Sequence, residues 1–202
     1  MFTGIIEKTG KIESTKKKGS SIEFTVSVSE SSFFKNVKTG DSISVNGACM
    51  TIESLKGNKF KFTTVKESLK KTNLGFLNTG GFVNLEKPMK LNSSLDGHSV
   101  QGHVDTCGKV EKFINVNNSY ELYISFPAAF RDCIIYTGSI AVDGISLTVA
   151  DILKDTKQKT HIKIAIIPHT YKVTNMMYLK KNDYVNIEFD MIGKYIKRIL
   201  NK

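Results

Sequence analysis

Apolar and polar positions alternate along most of this chain. In Ile22-Glu23-Phe24-Thr25-Val26-Ser27-Val28 every second residue is apolar, the period of a strand with one buried face. Ile43/Val45, Phe60/Phe62 and Phe82/Val83/Leu85 continue the pattern. The second half answers with Leu122/Ile124/Phe126, Ile140/Val142, Ile162/Ile164/Ile166 and Tyr184/Val185/Ile187/Phe189. Gly, Asn, Asp and Lys-Gly turns separate these runs. They predict about six short strands per half, an all-β chain of closed barrels or sandwiches. Short helical pieces are expected at Ser31–Phe34 and Pro127–Ile134, with matching helix starts at Thr72-Asn73-Leu74 and Thr174-Asn175-Met176. From Met191 to Lys202 the period changes: Ile192, Tyr195/Ile196 and Ile199 form a helical stripe. So short a helix is marginal alone, so its stripe should pack on its own barrel or on another subunit.

The pattern also repeats. FTGIIEKTGKIE (Phe2–Glu13) returns as VQGHVDTCGKVE (Val100–Glu111), and VNGACMTI (Val45–Ile52) as VDGISLTV (Val142–Val149). TNLGFLNTGGFVNLE (Thr72–Glu86) returns as TNMMYLKKNDYVNIE (Thr174–Glu188), so the offsets are 98, 97 and 102 residues. A period of this length is one domain duplicated. The expected division is a barrel at 1–87, a second barrel at 98–190 and a helix at 191–202. Lys87–Gly97, with Pro88 and a run of small polar residues, is the linker.

Composition narrows the function. The chain has 202 residues, 40% of them hydrophobic, and a mean hydropathy of −0.17. No apolar run approaches the ~18 residues of a membrane span. MFTGIIEKTGK lacks the basic and apolar regions of a signal peptide, so a cytoplasmic location is expected. The odd cysteine count (Cys49, Cys107, Cys133) without CxxC spacing argues against a disulfide framework or zinc site. The histidines (His98, His103, His161, His169) show no ligand spacing, and no metal is expected. A net charge of +10 raises nucleic acid as a partner, but only two of the 29 basic residues, Arg131 and Arg198, are arginine. The lysines are dispersed, and no nucleic-acid partner is expected.

The two copies act as controls for each other. Asn46 aligns with Asp143, Ala48 with Ile145, Cys49 with Ser146, Thr51 with Thr148, and Ile5 with His103. The second copy thus gathers a histidine, a carboxylate and two hydroxyls where the first has a thiol, a hydroxyl and an amide. Ser146 and Thr148 lie two apart on a strand, so both face one way and suit the polar edge of a flat heterocycle. A plain hairpin turn with exposed hydroxyls is the alternative. His103 is suited to moving protons near neutral pH, or is simply a rim residue. Cys49 is a candidate nucleophile or a small apolar filler, and Cys107 and Cys133 read as core. His169, aligned near Glu67, binds ligand or caps a turn.

MFTGIIE, NGACMT, DGHSVQGHVD, GSIAVDGISLTV and IIPHT, in this order in a duplicated chain, resemble the riboflavin synthase family of the alpha-chain, lumazine-binding type. The resemblance covers the whole chain. It implies a six-stranded antiparallel Greek-key barrel in each half and a homotrimer held by C-terminal helices. It also implies dismutation of 6,7-dimethyl-8-ribityllumazine, as a transferase at the last step of riboflavin biosynthesis. One molecule gives a four-carbon unit to another, yielding riboflavin and 5-amino-6-ribitylamino-2,4-pyrimidinedione with no cofactor. The resemblance also implies lumazine synthase, the lumazine-making enzyme, as a partner. Matched by motif, the ligand positions of the first barrel are Gly4, Ile5 and Ile6; Cys49, Met50 and Thr51; and Thr63, Thr64, Val65, Lys66, Glu67 and Ser68. Those of the second are Gly102, His103 and Val104; Ser146, Leu147 and Thr148; and Ala165, Ile166, Ile167, Pro168, His169 and Thr170. His103, Ser146 and Thr148 are then candidates to take a proton from the 7-methyl of the donor lumazine, with Asp143 orienting them and Cys49 assisting addition to the acceptor. Thr137 stands where the family commonly has lysine, so contact there loses a charge. A terminal helix ending at Lys202 implies a trimer of modest stability. Antenna-type relatives keep the first pocket and lose the second, whereas Gln101–His103 and Ser146–Thr148 are present here. A flavin reductase would need an RxYS-type motif and a nucleotide-binding half, and neither is in the chain.

Overall fold

The computed structural model describes residues 1–153 and 155–200. The first half contains β1 (Lys8–Lys18), β2 (Ser21–Val28), β3 (Ser42–Val45), β4 (Ala48–Thr51), β5 (Ser54–Lys56), β6 (Lys59–Thr64), helix α1 (Lys66–Lys71) and β7 (Phe82–Glu86). The second contains β8 (Thr106–Val116), β9 (Ser119–Pro127), β10 (Ser139–Val142), β11 (Ile145–Ile152), β12 (Lys159–Ile166), helix α2 (Pro168–Val173), β13 (Tyr184–Phe189) and helix α3 (Met191–Leu200). The second sheet closes as a barrel in the order β10-β11-β12-β9-β8-β13. The first is a curled, seven-stranded antiparallel sheet in the order β4-β3-β7-β1-β2-β6-β5. Its two ends, β4 and β5, are the halves of one strand. The second copy keeps that strand whole as β11 and absorbs the irregularity as a bulge between Val149 and Asp151. The expected tandem barrels with a C-terminal helix are therefore found, with one strand more than predicted.

Alternation decides what each barrel buries. Phe24, Phe60 and Phe62 are at most 1% exposed, and the Phe24 and Phe62 rings stack with centroids 5.0 Å apart. The second core uses branched aliphatics at the matching positions, with Ile124, Ile162, Ile164 and Ile187 fully buried. Each such side chain contributes about 1.5–3 kcal/mol. The helix starts expected at Asn73 and Asn175 are 3₁₀ turns, Asn73–Phe76 and Asn175–Tyr178. Each follows a short α-helix, α1 or α2, that the alternation did not predict.

The two halves meet turn to turn. Asn46 and Asp143 both adopt φ 46°, and the glycines after them, Gly47 and Gly144, approach so closely that a Cβ on Gly47 would lie 2.6 Å from the Gly144 nitrogen. Around this contact stand Asn73, Asn84, Asn175 and Asn186, all buried. Asn84 Nδ2 donates to the Asp143 carbonyl at 2.9 Å, and Asn186 Nδ2 to the Asn46 carbonyl at 2.7 Å. Each half thus satisfies the other's turn. Gly47→Ala is expected to cost roughly 2–4 kcal/mol, combining positive φ with overpacking. Gly57→Ala, also at positive φ (62°) but facing open space, should cost only about 1 kcal/mol. Urea midpoints of the two variants check this contrast.

α3 is mounted with its polar side inward. Lys194 Nζ pairs with Asp105 at 3.0 Å, Lys197 Nζ donates to the Ala129 carbonyl at 2.8 Å, and Gly193 is buried. The apolar stripe faces out: Ile192 is 65%, Tyr195 64%, Ile196 49% and Ile199 67% exposed. Of the two places offered for that stripe, its own barrel is not the one used. Asn201 and Lys202, the last residues of the expected helix, lie outside the described residues.

Candidate active site

The segments before the barrels are exchanged. Phe2 and Val100 form an antiparallel bridge between the two leaders, each donating to the other's carbonyl at 2.7 and 3.1 Å. The leaders then continue onto opposite barrels. The Gly4 carbonyl accepts from Ser146 N at 2.8 Å, and the Gly102 carbonyl accepts from Cys49 N at 2.9 Å. Both glycines have φ near +80° (77° and 81°), and a Cβ on either would sit 2.7 Å from the Cβ of Ser146 or Cys49. Ile6 accordingly packs against the second core, and Val104 against the first.

This corrects the assignment by motif. Gly4 and Ile6 contact the second barrel, Gly102, His103 and Val104 line the Cys49 cleft of the first, and Ile5 lines a separate cleft with Lys35, Val37 and Glu86. Sequence order assigned each leader to the barrel it precedes. The exchange is a tertiary contact that order cannot express.

A buried glutamate at the end of each barrel holds each leader. Glu86 accepts from Thr3 N at 2.7 Å, Thr3 Oγ1 at 2.8 Å and Gly4 N at 3.1 Å. Glu188 accepts from Gln101 N at 2.7 Å, Gly102 N at 3.0 Å and His103 N at 2.9 Å. Burial raises both carboxyls above the usual range, and the backbone donors pull them partly back. The repeat NLE/NIE (Asn84–Glu86 and Asn186–Glu188) was visible in the sequence, but its role was not.

The first pocket is a cleft of about 240 Å³ lined by Cys49, Met50, Glu67, Ser68, Lys71, Gly102, His103 and Val104, among others. Cys49 lies on the outward face of β4, half-buried, with Thr51 exposed on the same face and Met50 turned into the core. Thr64 is buried and its hydroxyl meets Met50 Sδ at 3.7 Å, whereas Thr63 points away and donates to Glu53 at 2.9 Å. Val65 precedes α1, whose first residues Lys66 and Glu67 are exposed and whose Ser68 is half-buried.

On β11 of the second barrel the same alternation turns Ser146 and Thr148 outward and Leu147 inward. Ala165 and Ile167 are exposed, Ile166 is buried, and Pro168, His169 and Thr170 open α2. His169 is thus on a helix's first turn, exposed to solvent. Thr137 sits at φ 59°, an uncommon backbone for a β-branched residue, and its hydroxyl donates to the Tyr136 carbonyl at 2.6 Å.

Two expected groupings are not found. His103 lines the Cys49 cleft, apart from the Ser146 hydroxyl it was expected to join. Asp143 touches neither: Asn73 Nδ2, Asn175 Nδ2 and Asn186 N donate to its carboxylate at 2.9, 2.8 and 2.7 Å, fully buried in the interface between the halves. Burial raises its pKa to about 7. The DG turn placed it there, because the side chain of a left-handed Asp points back from the strand carrying Ser146. Cys107, read as core, is half-buried with its thiol on the Lys71 carbonyl, and burial pushes its pKa up to about 12. Cys133 is buried as expected.

The sequence reading missed His98. It is 8% exposed, its backbone N donates to the Thr3 carbonyl at 3.1 Å, and its Nδ1 lies 2.7 Å from Ser146 Oγ. Burial holds its pKa below the ordinary histidine value, and the Asp190 charge opposes that only partly.

The lumazine binding domain family matches this chain twice, at residues 3–88 and 101–190. The riboflavin synthase of Actinobacillus pleuropneumoniae is 40% identical over 100% of this chain and 91% of its own length. That of Bacillus subtilis (strain 168) is 39% identical with the same coverage. The chain belongs to the riboflavin synthase family. Among solved structures, LumP in complex with 6,7-dimethyl-8-(1'-D-ribityl)lumazine superposes with a TM-score of 0.82 at 23% identity, over 93% of this chain and 98% of that one. Its riboflavin complex gives 0.83 at 23% identity, over 94% and 99%. These structural likenesses show that the two-barrel fold extends over 93–94% of this chain.

Proposed function

We propose that each barrel holds one 6,7-dimethyl-8-ribityllumazine and that the two pockets treat it differently. The reaction is that of the riboflavin synthase family: two lumazines yield riboflavin and 5-amino-6-ribitylamino-2,4-pyrimidinedione. The observation that carries this reading is the leader exchange, which builds two unlike pockets in one chain. One offers Cys49 with His103 and the other Ser146 and Thr148 with His98. Donor and acceptor are the same compound, so similar pockets with different polar groups are what a dismutation needs. Orienting both molecules is worth up to about 7–11 kcal/mol against their free encounter. Ser146 and Thr148 serve the donor, and Cys49 with His103 the acceptor. The ribityl chain and ring edges reach Gly4–Ile6, Thr64–Ser68, Gly102–Val104 and Ala165–Thr170. Asp143 supports the geometry from the interface.

The chain divides into barrels at 1–87 and 98–190 and a helix at 191–202, and three copies associate through that helix. The outward apolar stripe of α3 supports this. The trimer opposes the first pocket of one subunit to the second pocket of the next. No helix among the described residues is long and apolar enough to cross a membrane, and we place the enzyme in the cytoplasm.

The protein mixed with the lumazine alone should form one riboflavin for every two lumazines consumed, followed by absorbance and fluorescence. Ile196→Asp with Ile199→Asp should give monomers in sedimentation and lower turnover at least about 10-fold, because a charge in an apolar contact costs several kcal/mol. Lumazine binding without turnover by the unmodified protein would reduce it to a carrier. A fully active monomer would remove the trimer from the reading.

A further inference from the structure

The leader exchange brings one more group to the second pocket. We infer that His98, acting through Ser146, is the proton acceptor that makes this pocket the donor site, a positioning residue with no equivalent in the first half. The inference rests on the proposed dismutation.

The geometry is specific. His98 Nδ1 and Ser146 Oγ are 2.7 Å apart, within the range of a good hydrogen bond. Both partners are fixed from the backbone, His98 N by the Thr3 carbonyl and Ser146 N by the Gly4 carbonyl. Gly97, immediately before His98, lies against Ser146: a Cβ there would meet Ser146 Cβ at 2.9 Å. The imidazole is buried while Ser146 is half-buried and Thr148 exposed, so the hydroxyl stands between the imidazole and the open side of the strand. All four histidines lie at residue 98 or beyond, so the first half supplies none of its own. Cys49, the counterpart of Ser146, shares its cleft with the exposed His103 lent by the other leader. A buried imidazole behind a hydroxyl is the arrangement by which a weak oxygen base is made effective.

The step balances without a co-reactant. The carbon–hydrogen bond of the donor's 7-methyl breaks, and its electron pair delocalises into the lumazine ring. The proton passes to Ser146 Oγ as the serine's own proton passes to His98 Nδ1. The neutral imidazole needed for this is favoured by burial, and Asp190 is the charged group that acts on it in the opposite sense. His98 Nε2 makes no hydrogen bond to a described residue and is not a buried unpaired atom, which leaves it a route to return the proton to solvent.

His98→Asn keeps a polar atom near Nδ1 but cannot take a proton at neutral pH. It is expected to lower kcat about 100-fold with KM changed less than about threefold, within the usual range for loss of a general base. In the unmodified enzyme kcat should fall as pH drops below the depressed pKa of His98; the variant should lose that acid limb. Ser146→Ala and the double variant should be equally slow, because His98 acts only through the hydroxyl. Exchange of the 7-methyl protons into D2O, followed by NMR on bound lumazine, should slow in parallel. Unchanged kcat, an acid limb kept by His98→Asn, or fully additive losses would overturn the inference. If His98→Asn fails to fold, the acid limb of the unmodified enzyme decides, since Ser146→Ala must abolish it. An unmodified protein that forms no riboflavin would instead count against the dismutation itself.

Discussion

Ser146→Ala is expected to reduce turnover about 100-fold or more while leaving the fold intact. The backbone bond from Ser146 N to the Gly4 carbonyl survives the substitution, and β11 keeps its register with β10, where Ser146 faces Ala141. What is lost is one hydroxyl, the group that His98 Nδ1 meets at 2.7 Å. Lumazine binding should weaken only a few-fold, because the change removes one hydrogen bond of about 1 kcal/mol from a ligand held at many points. Thr148→Val, at the exposed end of the same face, should cost less. His103→Ala should also slow the reaction, but through the Cys49 cleft, so its pH profile should keep the acid limb. Steady-state kinetics across pH 5 to 9 for the three variants make the comparison. Full turnover in both Ser146→Ala and His103→Ala would end the proton-transfer account.

The largest effect on stability should come from Asp143. In a ring of asparagines it is the one group that only accepts. Asn73 Nδ2, Asn175 Nδ2 and Asn186 N all donate to it, and Asn175 Oδ1 is already used by Asn84 Nδ2 at 2.9 Å. Asp143→Ala removes three buried hydrogen bonds to a carboxylate, and although Asn73 Nδ2 keeps the Tyr184 carbonyl at 3.0 Å and Asn175 Nδ2 keeps Asn46 Oδ1 at 3.4 Å, a loss of about 3 kcal/mol is expected. That is a large part of the ~5–15 kcal/mol holding a typical domain together. Asp143→Asn places an amide donor against the Asn175 amide and should lose about 1–3 kcal/mol. The pH dependence has a definite sign. The folded pKa, about 7, is above the unfolded value near 4. Between them the native state binds the extra proton, so this carboxyl makes stability fall as pH rises from about 4 to about 7. Asp143→Asn should remove that contribution, and its deficit against the unmodified protein should narrow over the same window. Urea unfolding followed by tyrosine fluorescence at pH 5 and pH 8 tests it. A deficit independent of pH would mean that Asp143 is already ionised at pH 5.

The two predictions draw on different layers of information. Cys49, Ser146 and Thr148 were legible because a strand has period two and the duplication provides a second reading of the same strand. A residue two away must share its face in any fold that keeps the strand. Asp143 misled for the same reason: it is three residues from Ser146 in sequence, but the left-handed turn between them sends its side chain into the interface. Nothing in local pattern distinguishes an aspartate that serves a pocket from one that accepts three amides across a domain contact. Glu86 and Glu188 ended strands as ordinary polar residues, and only the folded leaders revealed what they hold.

By itself the sequence determined the duplication, the strands, the apolar face of each strand, the family and the outward-facing residues of β4 and β11. These follow from local periodicity and from self-comparison, and every one survives without knowing which segment touches which. Only the tertiary structure decided that the leaders cross, so that His103 serves Cys49 and Gly4 serves Ser146. It alone brought His98 to Ser146 and turned the stripe of α3 away from its own barrel. The physical reason is the same in each case. Contacts between segments about 50 to 140 residues apart depend on backbone groups seeking partners, and peptide N–H and C=O groups are present at nearly every residue whatever its side chain.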